Sequence, residues 1–422
     1  MDIAGTNSVG EAAFNVLNSI IGSGIIGLPY ALNGAGMVTG ILMLVLVGLL
    51  SQFATYILVL TGKRTGAMHY SEVARITLGE TGYRALSFSL VVSLFGVVTT
   101  YLIILGDISS SLRQTYLPAH AWATRSALIA FIAYVLILPL LFFRHAGPLA
   151  KWSVVSVAAL PVILVLVAVR APLYSAADEA AEYPVYVGRS LFPALGVLSF
   201  SFCSAHAAFQ NFLGLRVRTM GNWLRATTIA AWAGIAVSCL FALIGLVSFG
   251  SAVRANIFLN FPGTDGYINL ARALFCLTLV LTFPLSFYPI RDTLTHVLVP
   301  GSRAGTGGRA KETMITLVVL TMVCFTAMGC TDLGRAYELV GAATATTISF
   351  IFPALIYLRS ETAAGLIADV SASVPLLRAP GGAADAADVQ KAANLRRRLG
   401  AWLTLGFGVA VFVIGTSTAL QR

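Results

Sequence analysis

The sequence predicts an all-α membrane protein with many spans, and three observations predict it. Of its 422 residues, 58% are hydrophobic and only 10% charged, with a mean hydropathy of +0.86; soluble domains carry about 25% charged residues. Eleven apolar runs approach or exceed the ~20 residues that a bilayer core demands. Two of them, the first and the sixth, are interrupted midway by small residues. A formal charge of +10 raises nucleic acid as a partner. The basic residues are instead scattered over short loops, as orientation in a membrane requires, so nucleic-acid binding is not expected.

The runs fall at 11–34, 37–61, 85–112, 124–142, 151–170, 189–214, 226–249, 267–290, 312–330, 334–358 and 400–420. Span one, EAAFNVLNSIIGSGIIGLPYALN, carries Gly22, Ser23 and Gly24 at its middle, with Gly27 and Pro29 following. Glycine inside a helix costs about 1 kcal/mol against alanine and proline about 3 kcal/mol. An interruption frees backbone N–H and C=O groups, which hydrocarbon tolerates only where the break lines a polar cavity or is buried in protein. Freed amides from Ser23 onward suit a carboxylate, and freed carbonyls suit a cation. Asn18, four residues before Gly22, sets a side-chain oxygen at the same level. A glycine-rich helix packed closely on a neighbour is the plainer alternative.

Between spans two and three, MHYSEVARITLGETGYR is too polar to cross and reads as a short amphipathic helix on the membrane surface. Span three ends near Asp107. A carboxylate at membrane depth marks function by default, while the adjoining Ser109, Ser110 and Ser111 equally fit a helix end reaching water. Tyr101, earlier in the span, either packs or presents its hydroxyl to a central cavity. The outer loop at 171–188 holds Asp178, Glu179 and Glu182.

Span six, opening SLFPALGVLSFSFCSAHAAFQNF, is broken by Ser199, Ser201, Cys203 and Ser204 and ends that run at His206, the only histidine deep within a span. Counting from the first break to the second gives five spans, an odd number, so the second half enters the membrane inverted. Corresponding interruptions in inverted halves point to a transporter with its site at mid-membrane. An imidazole titrating near pH ~6.5 suits proton coupling, or else His206 is structural. In span eight, LTLVLTFPLSFYPIRD, Thr278 and Thr282 lie one turn apart. A threonine hydroxyl here completes an oxygen shell around a small cation or bonds back to its own helix. Arg291 and Asp292 close the span as an anchoring pair or an inner gate. The segment at 359–399, rich in Ala and Gly and ending near Arg396, Arg397 and Arg398, reads as a flexible cytoplasmic connection to span eleven.

The five cysteines lack paired spacing and read as free thiols, neither disulfide framework nor metal site. No Asn-x-Ser/Thr acceptor occurs, and no basic n-region announces a cleavable signal. No span presents paired carboxylates or metal-spaced histidines, so neither an enzyme nor a cofactor is expected. With the N-terminus cytoplasmic, 19 of the 27 Lys and Arg fall on one side, which places the C-terminus outside or in the lumen.

The motifs FNVLNSIIGSGIIGLPYALNGAG, YLIILGD, LSFSF, LTFPLSFYPIRD and GAATATTISFIFPALIYLR run in order over nearly the whole chain. In them the sequence resembles the amino acid/auxin permease family, and within it the sodium-coupled neutral amino acid transporters and their vacuolar relatives. The resemblance implies a LeuT-like fold of two inverted five-helix repeats, 1–170 and 189–358, plus an eleventh helix at 400–422. It implies alternating-access transport of neutral amino acids coupled to Na⁺ or H⁺, in a plasma, vacuolar or lysosomal membrane, with an amino acid and the lipid bilayer as partners. Backbone around Gly22, Ser23 and Gly24 would receive the substrate carboxylate. Backbone near Ser199 and Phe200 would face the amino group and side chain, Tyr101 would line the chamber, and Asn18, Ile21 and Thr282 would hold Na⁺. One departure stands out: where many relatives carry Cys-His, this chain reads Ser204, Ala205, His206, so no role for His206 carries over. The outer loop has no cysteine, so the extracellular disulfide of some members cannot form. An amino-acid sensor on the same fold, binding without flux, is the alternative.

Overall fold

Backbone groups in a bilayer find their partners most readily within one segment, and the α-helix provides them. The structure, a computed structural model that describes residues 5–117, 123–142, 146–174, 183–298, 306–361 and 383–421, is built of helices and one isolated bridge. The chain runs through α1 (Val9–Ile20), a 3₁₀ turn (Ser23–Gly27), α2 (Leu28–Ala35), α3 (Met37–Thr65), α4 (Tyr70–Tyr116), α5 (Arg125–Leu141) and α6 (Ala146–Arg170). After 183–190 come α7 (Leu191–Ser201), a 3₁₀ turn (Ala205–Ala207), α8 (Ala208–Gly214), α9 (Met220–Phe249), α10 (Gly266–Leu298), α11 (Thr306–Gly329), α12 (Leu333–Glu361) and α13 (383–421).

Among the described residues, eight helices are long and apolar enough to cross a membrane. A ninth is the pair formed by α1 and Ser23–Ala35, bent by 48° at its break, and two shorter apolar helices cover Arg125–Leu141 and Ala158–Tyr174. Helix starts follow ordinary capping chemistry. Ser8 and Glu11 form a capping box on α1, Thr124 caps α5, Thr219 caps α9 and Asp332 caps α12.

Two boundaries differ from the expectation. The surface helix before span three stops at Gly79, whose φ of 74° breaks α4 into two helices before Arg84 is reached. The connection expected over 359–399 is helical from Ala383 onward, because its alanine-rich second half favours helix; residues 362–382 lie outside the described residues, as do Asp178, Glu179 and Glu182.

The segment at 184–190 is laced across the ends of α2 and α3. Met37 N donates to Pro184 O at 2.8 Å, Val38 N to Val185 O at 2.9 Å, Gly188 N to Ala35 O at 2.8 Å and Ser190 N to Gly34 O at 2.9 Å. Gly36 turns there with φ 92°, and a Cβ on it would meet the Tyr186 carbonyl oxygen at 2.5 Å. Buried Arg272 ties the next loop, donating to the carbonyls of Phe258 at 2.6 Å and Phe261 at 2.9 Å. At the start of α10, burial pushes the Asp265 carboxyl up, but bonds from Tyr174, the Ile268 amide and Arg170 outweigh it and hold it below the usual carboxylate range. The opposite ends of the broken helices are tied too: Asn7 N donates to Gly214 O and Arg216 N to Asn7 O, both at 2.9 Å.

Candidate substrate and ion site

Both expected interruptions are present. After α1 ends, Ile21 (φ −86°, ψ 69°) and Gly22 (φ −93°, ψ −151°) leave helical geometry before the chain resumes at Ser23. α7 ends at Ser201, and the non-helical stretch at 202–204 separates it from the turn carrying His206. The two breaks touch. A Cβ on Gly24 would lie 2.4 Å from Ser201 Oγ and 2.8 Å from Ser201 Cα, so glycine is required for this approach.

Side chains from distant helices satisfy part of the freed backbone. The Tyr337 hydroxyl donates to the Ser23 carbonyl oxygen at 2.6 Å. Ser51 Oγ donates to the Phe202 carbonyl oxygen at 2.7 Å and lies 3.4 Å from Ser204 Oγ. Sequence reasoning missed both partners, and for Tyr337 a signal was available: its neighbour Glu338 is an ionisable residue at membrane depth.

A cavity of about 910 Å³ opens at the break of the first helix. Of the nine residues picked out from sequence, eight are in its wall: Asn18, Ile21, Gly22, Ser23, Gly24, Tyr101, Phe200 and Thr282. Ser199 is not. Its side chain is 0% exposed, and its hydroxyl, at the packed face of α7, has no hydrogen-bond partner. His206 does line the cavity, with Nδ1 4.0 Å from Cys203 Sγ.

Around the first break and α10 the wall presents neutral oxygens. Thr282 Oγ1 donates to Thr278 O at 2.7 Å, and Thr278 Oγ1 to Leu274 O at 3.0 Å. This is the back-bonding that the sequence allowed. It uses the single hydroxyl proton and leaves the oxygen lone pairs as acceptors. Tyr101, Thr282 and Ser286 share this wall, so the Tyr101 phenol stands among the hydroxyls of α10. The hydroxyls of Ser23 and Ser93, buried in the wall, have no hydrogen-bond partner within the protein, an arrangement that costs free energy unless a bound group supplies one. Amides at the start of the Ser23 turn have no partner within that turn. No group of three or more His, Cys, Asp or Glu among the described residues is placed to hold a metal, and the five cysteines are free.

From the break the cavity follows α1 to Glu11, Asn7 and Thr6, toward the N-terminal end. On the other side it is shut. The Tyr337 ring lies 5.0 Å from that of Phe200 and packs where a Gly27 Cβ would stand, 2.8 Å away.

Asp107 and Arg291 are outside this chamber. Arg125 Nε reaches Asp107 Oδ1 at 2.7 Å and its other nitrogens donate to the carbonyls of Ala327 and Cys330, each at 3.2 Å, so Asp107 belongs to a clamp joining α4, α5 and the end of α11. Arg291 donates to Leu141 O at 3.1 Å, lies over the Tyr288 ring at 4.8 Å and stands 3.8 Å from Asp292, the arrangement of an anchor.

Known proteins agree with this architecture. Residues 5–363 match the profile of the family described as transmembrane amino acid transporter protein. A Danio rerio protein named sodium-coupled neutral amino acid transporter 11 is 31% identical over 365 residues, covering 84% of this chain and 80% of that protein. Vacuolar amino acid transporter 2 of Saccharomyces cerevisiae is 27% identical over 364 residues, covering 82% of this chain and 75% of that protein. The solved structure of a Na⁺-coupled sialic acid symporter in a substrate-bound, outward-open state superposes with a TM-score of 0.55 over 100% of this chain and 91% of that one, at 11% identity, a likeness of fold.

Proposed function

The chain belongs to the transmembrane amino acid transporter family, and from that premise we propose that it is a secondary active transporter of neutral amino acids, driven by a cation gradient through alternating access. The observation that carries the proposal is the shared chamber, in which both breaks and α10 bring neutral oxygens and short-handed backbone together. The substrate carboxylate sits on the amides at the start of the Ser23 turn, where the helix end is positive. Its ammonium and side chain lie toward Phe200 and Tyr101. Na⁺ is taken by the Asn18 side chain, the Ile21 carbonyl and Thr282, oxygens of the kind a hard cation prefers. The name of the Danio rerio relative supports Na⁺; His206 in the same wall supports H⁺ as the second reading.

Eleven spans result when the bent pair and the two shorter apolar helices join the eight longer ones, and two inverted repeats account for the paired breaks. The excess of Lys and Arg on one side puts the N-terminus in the cytoplasm. The open cavity then faces inward, with Tyr337 and Phe200 closing the outer side. Its home is a plasma, vacuolar or lysosomal membrane, and the name of the Saccharomyces cerevisiae relative supports the vacuolar one.

Replacing Thr282 with alanine removes one cation ligand and spares the substrate contacts. Loss of one such contact is worth about 1–2 kcal/mol. The half-saturating Na⁺ concentration for uptake into proteoliposomes is therefore expected to rise about tenfold, while the ranking of amino acids stays the same. A variant with the wild-type Na⁺ dependence would remove Thr282 from the ion site.

A further inference from the structure

A second cavity, of about 600 Å³, lies beyond the closed side of the chamber and shares no wall residue with it. Its wall is formed by the outer half of the broken helix, with Tyr30 and Asn33, by Arg189 on the laced segment and Tyr183 just before it, and by Glu338. Its size is that of a small-molecule site, about 300–1,000 Å³. Glu338 is 2% exposed and accepts a hydrogen bond from the Tyr30 hydroxyl at 3.0 Å. A carboxylate buried at this depth is costly, and such residues mark ligand or ion paths. The mechanism above makes no use of it.

Resting on the transport reading, we propose that this cavity is a second amino-acid site, occupied from the side opposite the open chamber. Glu338 takes the ammonium group, with Tyr30 orienting the carboxylate that receives it, and Arg189 takes the ligand carboxylate. A zwitterion fits better than a bare metal cation because the wall offers both signs of charge, and because no acidic cluster of metal-binding size is present among the described residues. The site is also wired to the chamber. Tyr337, adjacent in sequence, holds the Ser23 carbonyl while Glu338 faces the outer cavity. Occupancy of Glu338 therefore bears on the same helical turn that shuts the chamber.

The test is equilibrium binding of tritiated L-alanine and L-glutamine to the full-length protein in lipid nanodiscs. The wild type is expected to show more than one saturable site per protein. The variant Gly24→Ala, which damages the chamber, is expected to keep the outer site. Adding Glu338→Gln to it is expected to weaken the remaining binding about 30-fold or more, the effect of removing one partner of a desolvated charge pair. Arg189→Ala, a change at an exposed side chain that leaves the helix packing untouched, is expected to weaken the same site and not the chamber. Residual binding that is absent in Gly24→Ala, or indifferent to both Glu338→Gln and Arg189→Ala, overturns the proposal. If the wild type still accumulates amino acid while showing a single site, only the second site falls; if it neither binds nor accumulates either amino acid, the transport reading falls with it.

Discussion

Gly24→Ala is expected to reduce amino-acid uptake by about one to two orders of magnitude, the equivalent of the ~1–3 kcal/mol that overpacking a close contact costs. The added methyl would stand 2.4 Å from Ser201 Oγ and 2.8 Å from Ser201 Cα. The hydroxyl can rotate away, but the Cα belongs to the backbone of the other broken helix, so the two breaks must part. Ser201→Ala in the same chain therefore gives little rescue. Gly22→Ala is the control two residues away. Its methyl would meet only the Tyr101 hydroxyl at 3.8 Å, an ordinary contact, and uptake is expected to stay within about threefold of wild type. Radiolabelled uptake by the purified variants in proteoliposomes separates the two. Equal tolerance at both positions would mean that the breaks do not meet as described.

Tyr337 is the second position with a large expected effect, and two substitutions divide its roles. Tyr337→Phe keeps the ring that lies tilted against Phe200 and packs on Gly27 but removes the donor to the Ser23 carbonyl. A buried acceptor left without its partner costs about 1–3 kcal/mol. Uptake is expected to fall about tenfold, since the lost bond fixes the Ser23 turn on which we propose the substrate carboxylate sits. Tyr337→Ala also leaves a hole in a fully buried site, and truncating a large core aromatic costs about 3–5 kcal/mol. This variant is expected to unfold at a clearly lower temperature and to carry no measurable flux. Thermal denaturation monitored by size-exclusion chromatography checks stability beside uptake. A phenylalanine variant with wild-type uptake would show that the hydroxyl is dispensable.

What the sequence makes legible follows from where the physical costs are concentrated. Glycine and serine inside an apolar run are expensive, so Gly22, Ser23 and Gly24 make span one a candidate for a break, and the matching interruption in span six and the family resemblance favour a break over a close-packed helix. The partners of the break could not be found in this way. Tyr337 lies 314 residues from Ser23 and Ser51 lies 151 from Phe202, and nothing local in LGRAYEL or LSQF announces which carbonyl each will reach. Ser199 was singled out for its backbone, and its side chain is fully buried outside the chamber wall, a placement that the run of small polar residues in span six does not announce. Asp107 was legible as a costly residue but not as half of a clamp, because Arg125 and the carbonyls of Ala327 and Cys330 come from other helices. The helical start of α13 was hidden for a different reason. An alanine-rich polar stretch reads as loose connection by composition and as good helix by propensity, and here propensity prevailed.

Flux separates a transporter from a protein that only binds. Purified wild-type protein in proteoliposomes, given tritiated neutral amino acids with a Na⁺ gradient or a pH gradient imposed separately, is expected to concentrate at least one of them inside while the gradient lasts and to lose it when the gradient is collapsed. Uptake that saturates at the amount of protein present, with no accumulation under either gradient, would contradict transport and leave a binding protein on a transporter's fold.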